Sequence, residues 1–326
     1  MVSYIVMLPA ATRRCFIPQV CNIGRSTFST SRPFRAADPR LKELGNVIDN
    51  EFAVLKVHYD VPKHPIILAH GLLGFDEMHL VGKSLPGIQY WRGIREALSQ
   101  AGVEVITATV PPSGCIEKRA EKLAKTIREK AGGKSVNIIA HSMGGLDARY
   151  MISQLKPPNV EVLSLTTIAT PHRGSAFADY LFETLGPINV ARAYKVLEYI
   201  GLETDAFSQL TRNYMEKIFN PKTPDLPGVK YYSYGASLEP VYWSVFRPSF
   251  KIIKQLENAP NDGLVSVPSS QWGEYKGTLV GVSHIDLINW TNRLKWLFWR
   301  LTGTTHSFNA VAFYLSIADM LAKEGL

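Results

Sequence analysis

From residue 52 onward the apolar positions fall into two alternating patterns. Short apolar runs such as Ile66-Ile67-Leu68-Ala69 and Val136-Asn137-Ile138-Ile139-Ala140 are rich in β-branched residues and end at small or turn-forming ones. Between them lie longer stretches with apolar residues at three- and four-residue spacing, such as Glu117–Ala131, which closes on Gly132-Gly133. Runs of the first kind predict strands buried on both faces, and stretches of the second predict amphipathic helices. The pattern predicts strands over Phe52–His58, Ile66–Ala69, Val103–Thr107, the run from Val136, Val162–Ile168, Val229–Gly235 and Thr278–Val282. Helices are predicted over Tyr90–Ala101, Glu117–Ala131 and Phe308–Leu321. Alternation of this kind predicts an α/β fold with a mostly parallel central sheet and helices on both faces.

The regularity breaks between about Ala176 and Gly228. There Val190, Ala193, Tyr194, Leu197 and Ile200 recur at helical spacing, opposite Asn189, Arg192, Lys195 and Glu198. Such a stripe is either a helix face turned to the core or part of a cover over a greasy site, and the spacing alone does not choose.

Composition changes this picture mainly at the N-terminus. The chain has 326 residues, 46% of them hydrophobic, enough for a large core, and a formal net charge of +8. Residues 1–37 carry Arg13, Arg14, Arg25, Arg32 and Arg35 and no acidic residue, so they account for five of those charges and leave +3. No basic run or aromatic-interleaved basic stripe survives in the remainder, which argues against nucleic acid as a partner. An Arg-bearing, Ser/Thr-rich, acid-free leader predicts a mitochondrial presequence over 1–37, followed by one domain over 38–326. A secretory signal over Tyr4–Ala11 is the rival, but its apolar stretch is short and no charge precedes it. Cys15 and Cys21 fall in the leader, so Cys115 stands alone in the expected mature chain and cannot form an internal disulfide. Cys115 reads as a small residue opening a helix. No run reaches the length of a membrane-spanning helix, so membrane contact is expected to be peripheral. Trp296, Phe298 and Trp299 are candidates for it, with burial as the competing reading.

The candidate chemistry lies between Ile66 and Asp286. Ala140-His141-Ser142-Met143-Gly144 ends a strand on a serine with small residues two before and two after it, the pattern of a nucleophile elbow. A serine needs a histidine to take its proton and a carboxylate to orient that histidine. On an elbow scaffold these follow in the order Ser, acid, His. His284 lies just beyond an apolar strand and is preferred to His306, while His141 and His172 come too early. Among Asp179, Asp205, Asp225, Asp262 and several glutamates, Asp262 is best placed, in the turn Asn261-Asp262-Gly263. Read without the other motifs, that turn is an ordinary Asp-Gly turn. The amides of Met143 and Leu72 are the candidate oxyanion donors, the latter carried by the His70-Gly71 turn.

Taken together, His70-Gly71-Leu72-Leu73-Gly74-Phe75-Asp76, Ala140–Gly145, Thr170-Pro171-His172-Arg173-Gly174-Ser175, Asn261–Val265 and His284-Ile285-Asp286 resemble the α/β-hydrolase lipases of the pseudomonad type and their fungal mitochondrial triacylglycerol lipase relatives. The resemblance runs from about Lys63 to Trp290. It implies an α/β-hydrolase fold, a Ser142–Asp262–His284 triad, oxyanion amides on Leu72 and Met143, and a helical lid within 176–228. It also implies a long-chain acylglycerol or other lipid ester as substrate, met at a membrane or lipid-droplet surface, with no cofactor. A phospholipase or acyltransferase would use the same triad, as would a small-ester carboxylesterase without a lid; a catalytically inactive lipid-binding protein is the alternative of another class. Bacterial members carry a structural calcium. Asp286 matches one of its ligands, but Pro240, Val241 and Tyr242 stand around the expected second, with Glu239 the nearest carboxylate, so calcium is not expected.

Overall fold

A computed structural model describes residues 46–72, 77–78, 88–112, 114–183, 205–242, 244, 246–290 and 308–326. The expected leader, the stripe from Val190 to Ile200, the Trp296/Phe298/Trp299 cluster and His306 lie outside these residues.

The strands are β1 (Val47–Ile48), β2 (Ile66–Ala69), β3 (Glu77–Met78), β4 (Ile88–Gln89), β5 (Val105–Ala108), β6 (Val136–His141), β7 (Val162–Ile168), β8 (Lys230–Ser237) and β9 (Glu274–Val280). Seven of them form one sheet in the order β1-β9-β8-β7-β6-β2-β5, and every neighbouring pair in it is parallel. β3 and β4 make a small antiparallel ribbon. Successive side chains of β2 leave the sheet on opposite sides, as strand geometry requires. Ile66 and Leu68 join Ile94 and Leu98 of α1 (Ile94–Gln100) and the Ala310–Lys323 helix. Ile67 and Ala69 join Leu123 and Ile127 of α2 (Ile116–Lys130) and Ala148 of α3 (Gly144–Tyr150). Burial on both faces is why these strands are continuous apolar runs rather than alternating ones.

The predicted strand over Phe52–His58 is not formed. The edge position belongs to β1, which pairs Val47 with Thr278 and Ile48 with Leu279. Beyond it only Phe52 is buried, while Val54, Leu55 and Val57 are exposed. The segment is held by the Asn309 amide donating to the Phe52 carbonyl (2.9 Å) and the Asp60 amide donating to Asp319 (2.9 Å). Apolar composition without a partner strand therefore misled the reading. The helix expected from Tyr90 starts instead at Ile94, because Gly93 takes a left-handed φ of 73° just before it.

Within the 176–228 insertion, residues 176–183 are helical and the stretch from Asp205 is packed against the body. Ala206, Met215 and Phe219 bury against Ile116, Met143 and Leu146. The Ile116 amide donates to Gln209 (2.7 Å), and Arg212 pairs with Asp179 at 2.5 Å. Arg149 lays its guanidinium 3.5 Å from the Trp272 ring centre and donates to Asn220 (2.9 Å) and the Thr223 carbonyl (3.0 Å). These contacts tie residues 205–223 to the sheet domain.

One buried ion pair braces the helix that follows β6. Arg119 on α2, fully buried, meets Asp147 on α3 at 2.8 Å and also donates to the carbonyls of His70 (2.8 Å) and Pro111 (2.6 Å). Burial pushes the Asp147 carboxyl up to about 6 against the pull of Arg119. Removing one partner of such a pair leaves an uncompensated buried charge, whereas apolar replacement of both does much less harm. Arg119→Leu is expected to cost about 3–5 kcal/mol in urea unfolding, and Arg119→Leu with Asp147→Leu to cost clearly less. A double variant weaker than the single one would contradict this account.

Candidate active site

The peptide leaves β6 through a tight turn at Ser142, whose φ of 55° is left-handed, a conformation costly for a residue with a Cβ. The turn is fastened on three sides. The Ser142 amide donates to the Ile168 carbonyl (2.9 Å), Thr170 Oγ1 donates to the Ser142 carbonyl (2.7 Å), and the Gly145 amide returns to the same carbonyl (3.1 Å). Small residues are required by close approach. A Cβ on Gly144 would lie 2.6 Å from the Ala69 carbonyl oxygen, and one on Gly71 would lie 2.8 Å from the Ser142 Cβ. The elbow expected from Ala140-His141-Ser142-Met143-Gly144 is therefore present.

Asp262 and His284 come together in loops at the ends of β8 and β9, on the same edge of the sheet as Ser142. The Asp262 carboxylate is fully buried. One oxygen accepts from the amides of Leu264 (2.9 Å) and Val265 (2.8 Å), and the other meets His284 Nδ1 at 2.7 Å. The main chains are joined too, through the His284 amide and the Asp262 carbonyl (3.1 Å). Gly263 has a φ of 101°, so the Asp-Gly turn and the carboxylate site are one object. This arrangement fixes the imidazole with Nδ1 toward the acid and leaves Nε2 for a proton from elsewhere. Among the described residues no hydrogen bond joins the Ser142 hydroxyl to His284. His141, the residue before Ser142, has its ring centre 4.6 Å from that of His284. Hydrogen bonds of this class are often long before substrate arrives.

Leu72 sits in the turn after β2, half-buried, and Met143 is fully buried at the start of α3. Among the described residues neither of their amides donates to a protein acceptor, so both remain available to an oxygen above Ser142. The turn carrying Leu72 is held by His70. Its Nδ1 pairs with the Gly71 carbonyl (3.0 Å) and its Nε2 accepts from the Val110 amide (3.2 Å). Burial, aided by the Arg119 charge, lowers the His70 pKa to about 4, so the ring is a neutral strut. Tyr90 supplies a second support, its hydroxyl accepting from the Gly71 amide (3.0 Å) and meeting His141 Nδ1 at 2.7 Å. Burial first, and then the neighbouring His284, hold the His141 ring well below the usual imidazole range. Tyr90, Arg119 and the strut role of His70 were not read from the sequence. Tyr90 lies at the edge of a predicted helix, where an aromatic residue looks like core.

The donor set around Asp286 does not suit a calcium ion. One Asp286 oxygen already takes the Ser283 amide (3.0 Å) and hydroxyl (2.7 Å), while Glu239 points to solvent and pairs with Lys254 at 3.6 Å. A hard cation needs several converging oxygens. Among the described residues no group of three or more His, Cys, Asp or Glu side chains is gathered for a metal. His172, the remaining histidine of the sequence motifs, stacks on Trp272 (ring centres 5.1 Å apart) away from the acid–histidine pair.

The chain is similar to known esterases and lipases. The family described as "Putative serine esterase (DUF676)" matches residues 60–272. Triacylglycerol lipase 2 of Saccharomyces cerevisiae is 41% identical over 314 residues, covering 82% of this chain and 94% of that protein. A triacylglycerol lipase of Vibrio cholerae is 27% identical, covering 82% and 90%. Among solved structures, Staphylococcus hyicus lipase superposes with a TM-score of 0.59 at 21% identity, over 82% of this chain and 98% of that one. A metagenomic carboxyl esterase superposes with a TM-score of 0.61 at 16% identity, over 83% and 79%. The parallel seven-stranded sheet with its serine elbow is an α/β-hydrolase fold, and the chain belongs to this serine esterase family.

Proposed function

We propose that this serine esterase is a lipase that hydrolyses long-chain acylglycerol esters, triacylglycerol or diacylglycerol, through an acyl-enzyme on Ser142. The observation that carries the mechanism is the 2.7 Å contact between Asp262 and His284 at the sheet edge that bears the strained Ser142 turn. His284 takes the serine proton as the hydroxyl attacks the ester carbonyl, and Asp262 stabilises the imidazolium that forms. The oxyanion is received by the Leu72 and Met143 amides. His284 then returns the proton to the leaving alcohol, and a water molecule, deprotonated by the same imidazole, releases the fatty acid.

Acylglycerol as substrate rests on the yeast relative named for triacylglycerol, with the Vibrio protein in support. We place the chain with the pseudomonad-type lipases and their fungal mitochondrial branch on the strength of its motifs and its acid-free, Arg-bearing first 37 residues, which also suggest a mitochondrial address. Contact with a membrane or lipid droplet is taken to be peripheral; no helix among the described residues is long and apolar enough to cross a bilayer. The 176–228 insertion is assigned as the lid. Its anchored part, residues 205–223, would then serve as the hinge side. Asp286 is assigned to loop bracing rather than to calcium, with no cofactor required.

Ser142→Ala is expected to lower turnover of a soluble nitrophenyl ester by about 10⁴-fold or more with an unchanged urea midpoint; a folded variant with full turnover would refute the nucleophile. Asp262→Asn should lower kcat by about 10³–10⁴-fold with KM little changed. Release of lysophospholipid rather than diacylglycerol and fatty acid from mixed lipid emulsions would replace the lipase reading by a phospholipase one. A chelator such as EGTA should alter neither rate nor thermal midpoint, and a fall in either would restore calcium.

A further inference from the structure

Tyr90 stands outside the proposed triad and contributes no oxyanion amide, yet its hydroxyl touches both halves of the site. On one side it accepts from the Gly71 amide at 3.0 Å, one residue before Leu72. On the other it meets His141 Nδ1 at 2.7 Å, one residue before Ser142 and beside the His284 ring. The side chain is buried, and no other partner of the hydroxyl exists among the described residues. A phenol has one proton to donate. With the Gly71 N–H already pointing at the oxygen, the phenol proton is satisfied only by going to His141 Nδ1. That direction puts the His141 hydrogen on Nε2, a buried atom with no hydrogen-bond partner among the described residues, so Tyr90 is the one side chain that engages the ring by a hydrogen bond there. Two imidazoles with ring centres 4.6 Å apart cannot both carry charge cheaply. A neutral, immobilised His141 is what His284 needs beside it while it holds the serine proton.

We propose that Tyr90 is a positioning residue for the esterase reaction, its hydroxyl holding the Gly71–Leu72 turn and the His141 ring in register across the site. The inference rests on the Ser142–Asp262–His284 reading above. The ring of Tyr90 packs on His70 (5.5 Å) and Trp91 (5.1 Å) through its faces and edges, so Tyr90→Phe removes the oxygen while keeping that packing. What is lost is the hydrogen bond to a buried Gly71 amide and the anchor of His141. Displacement of an oxyanion donor by less than an ångström is enough to slow chemistry by one or two orders of magnitude.

The test uses the full chain and a soluble short-chain nitrophenyl ester. Tyr90→Phe is expected to lower kcat by about tenfold or more, leave KM within about twofold, and slow fluorophosphonate labelling of Ser142 in proportion. Tyr314→Phe, which removes another fully buried hydroxyl, should leave kcat unchanged. His141→Asn gives a second route: the double variant with Tyr90→Phe should be no slower than the worse single variant by more than about twofold, since both remove one linkage. The inference is overturned by Tyr90→Phe turnover within twofold of the parent, by a loss confined to KM, or by strictly multiplicative effects of the two substitutions. If Ser142→Ala also retained turnover, the triad reading itself would fall; retained dependence on Ser142 with full Tyr90→Phe activity overturns the Tyr90 role alone.

Discussion

The left-handed turn at Ser142 is the constraint around which the rest is built. A side-chain-bearing residue at a φ of 55° costs on the order of 1–3 kcal/mol and persists only where its surroundings over-determine it. Here the end of β7 supplies the Ile168 carbonyl, the loop after it supplies the Thr170 hydroxyl, β2 forces glycine at 144, and the Arg119–Asp147 pair pins α3 from behind. The Ser142 backbone is thereby held by contacts already formed, and substrate binding has no need to form the turn.

The polar groups around that turn are buried and connected. His70 is neutral because it is desolvated near Arg119, and His141 is neutral because it is desolvated near His284. Asp262 is satisfied by two amides as well as by the imidazole. In a low-dielectric setting each satisfied link is strong and each missing link is expensive, so the network is specific in geometry. One oxygen of the Asp286 carboxylate takes the Ser283 amide and hydroxyl, which shapes the loop carrying His284.

Much of this was legible in the chain, for reasons particular to each element. Val162–Ile168 and the run from Val136 were readable as strands because a parallel strand covered on both faces is rich in apolar and β-branched residues, with only Asn137, Ser164, Thr166 and Thr167 interrupting the apolar ones. Ser142, Asp262 and His284 were readable because steric and electronic demands restrict the residues around them, as Gly144 against the Ala69 carbonyl demonstrates. Phe52–His58 forms no strand although its exposed Val54, Leu55 and Val57 carry the composition of one; pairing is invisible in one chain. Tyr90, Arg119 and the His70 strut escaped because their partners lie far away in sequence: Tyr90 meets His141 across 51 positions and Arg119 meets Asp147 across 28. Short motifs record local necessity, and long-range hydrogen bonds leave no local trace.

The strand order has a consequence for how such a molecule comes into being. Residues 66–168 supply β2, β5, β6 and β7, four adjacent strands of the sheet, in one continuous stretch of chain. A ribosome delivers that stretch first, and domains assemble broadly in the order they emerge. Asp262 and His284 follow about a hundred residues later, riding on strands that add to an existing edge. With the proposed triad, the half-made protein would hold its serine without a proton acceptor. A catalyst built this way would stay inert until nearly all of it had been translated.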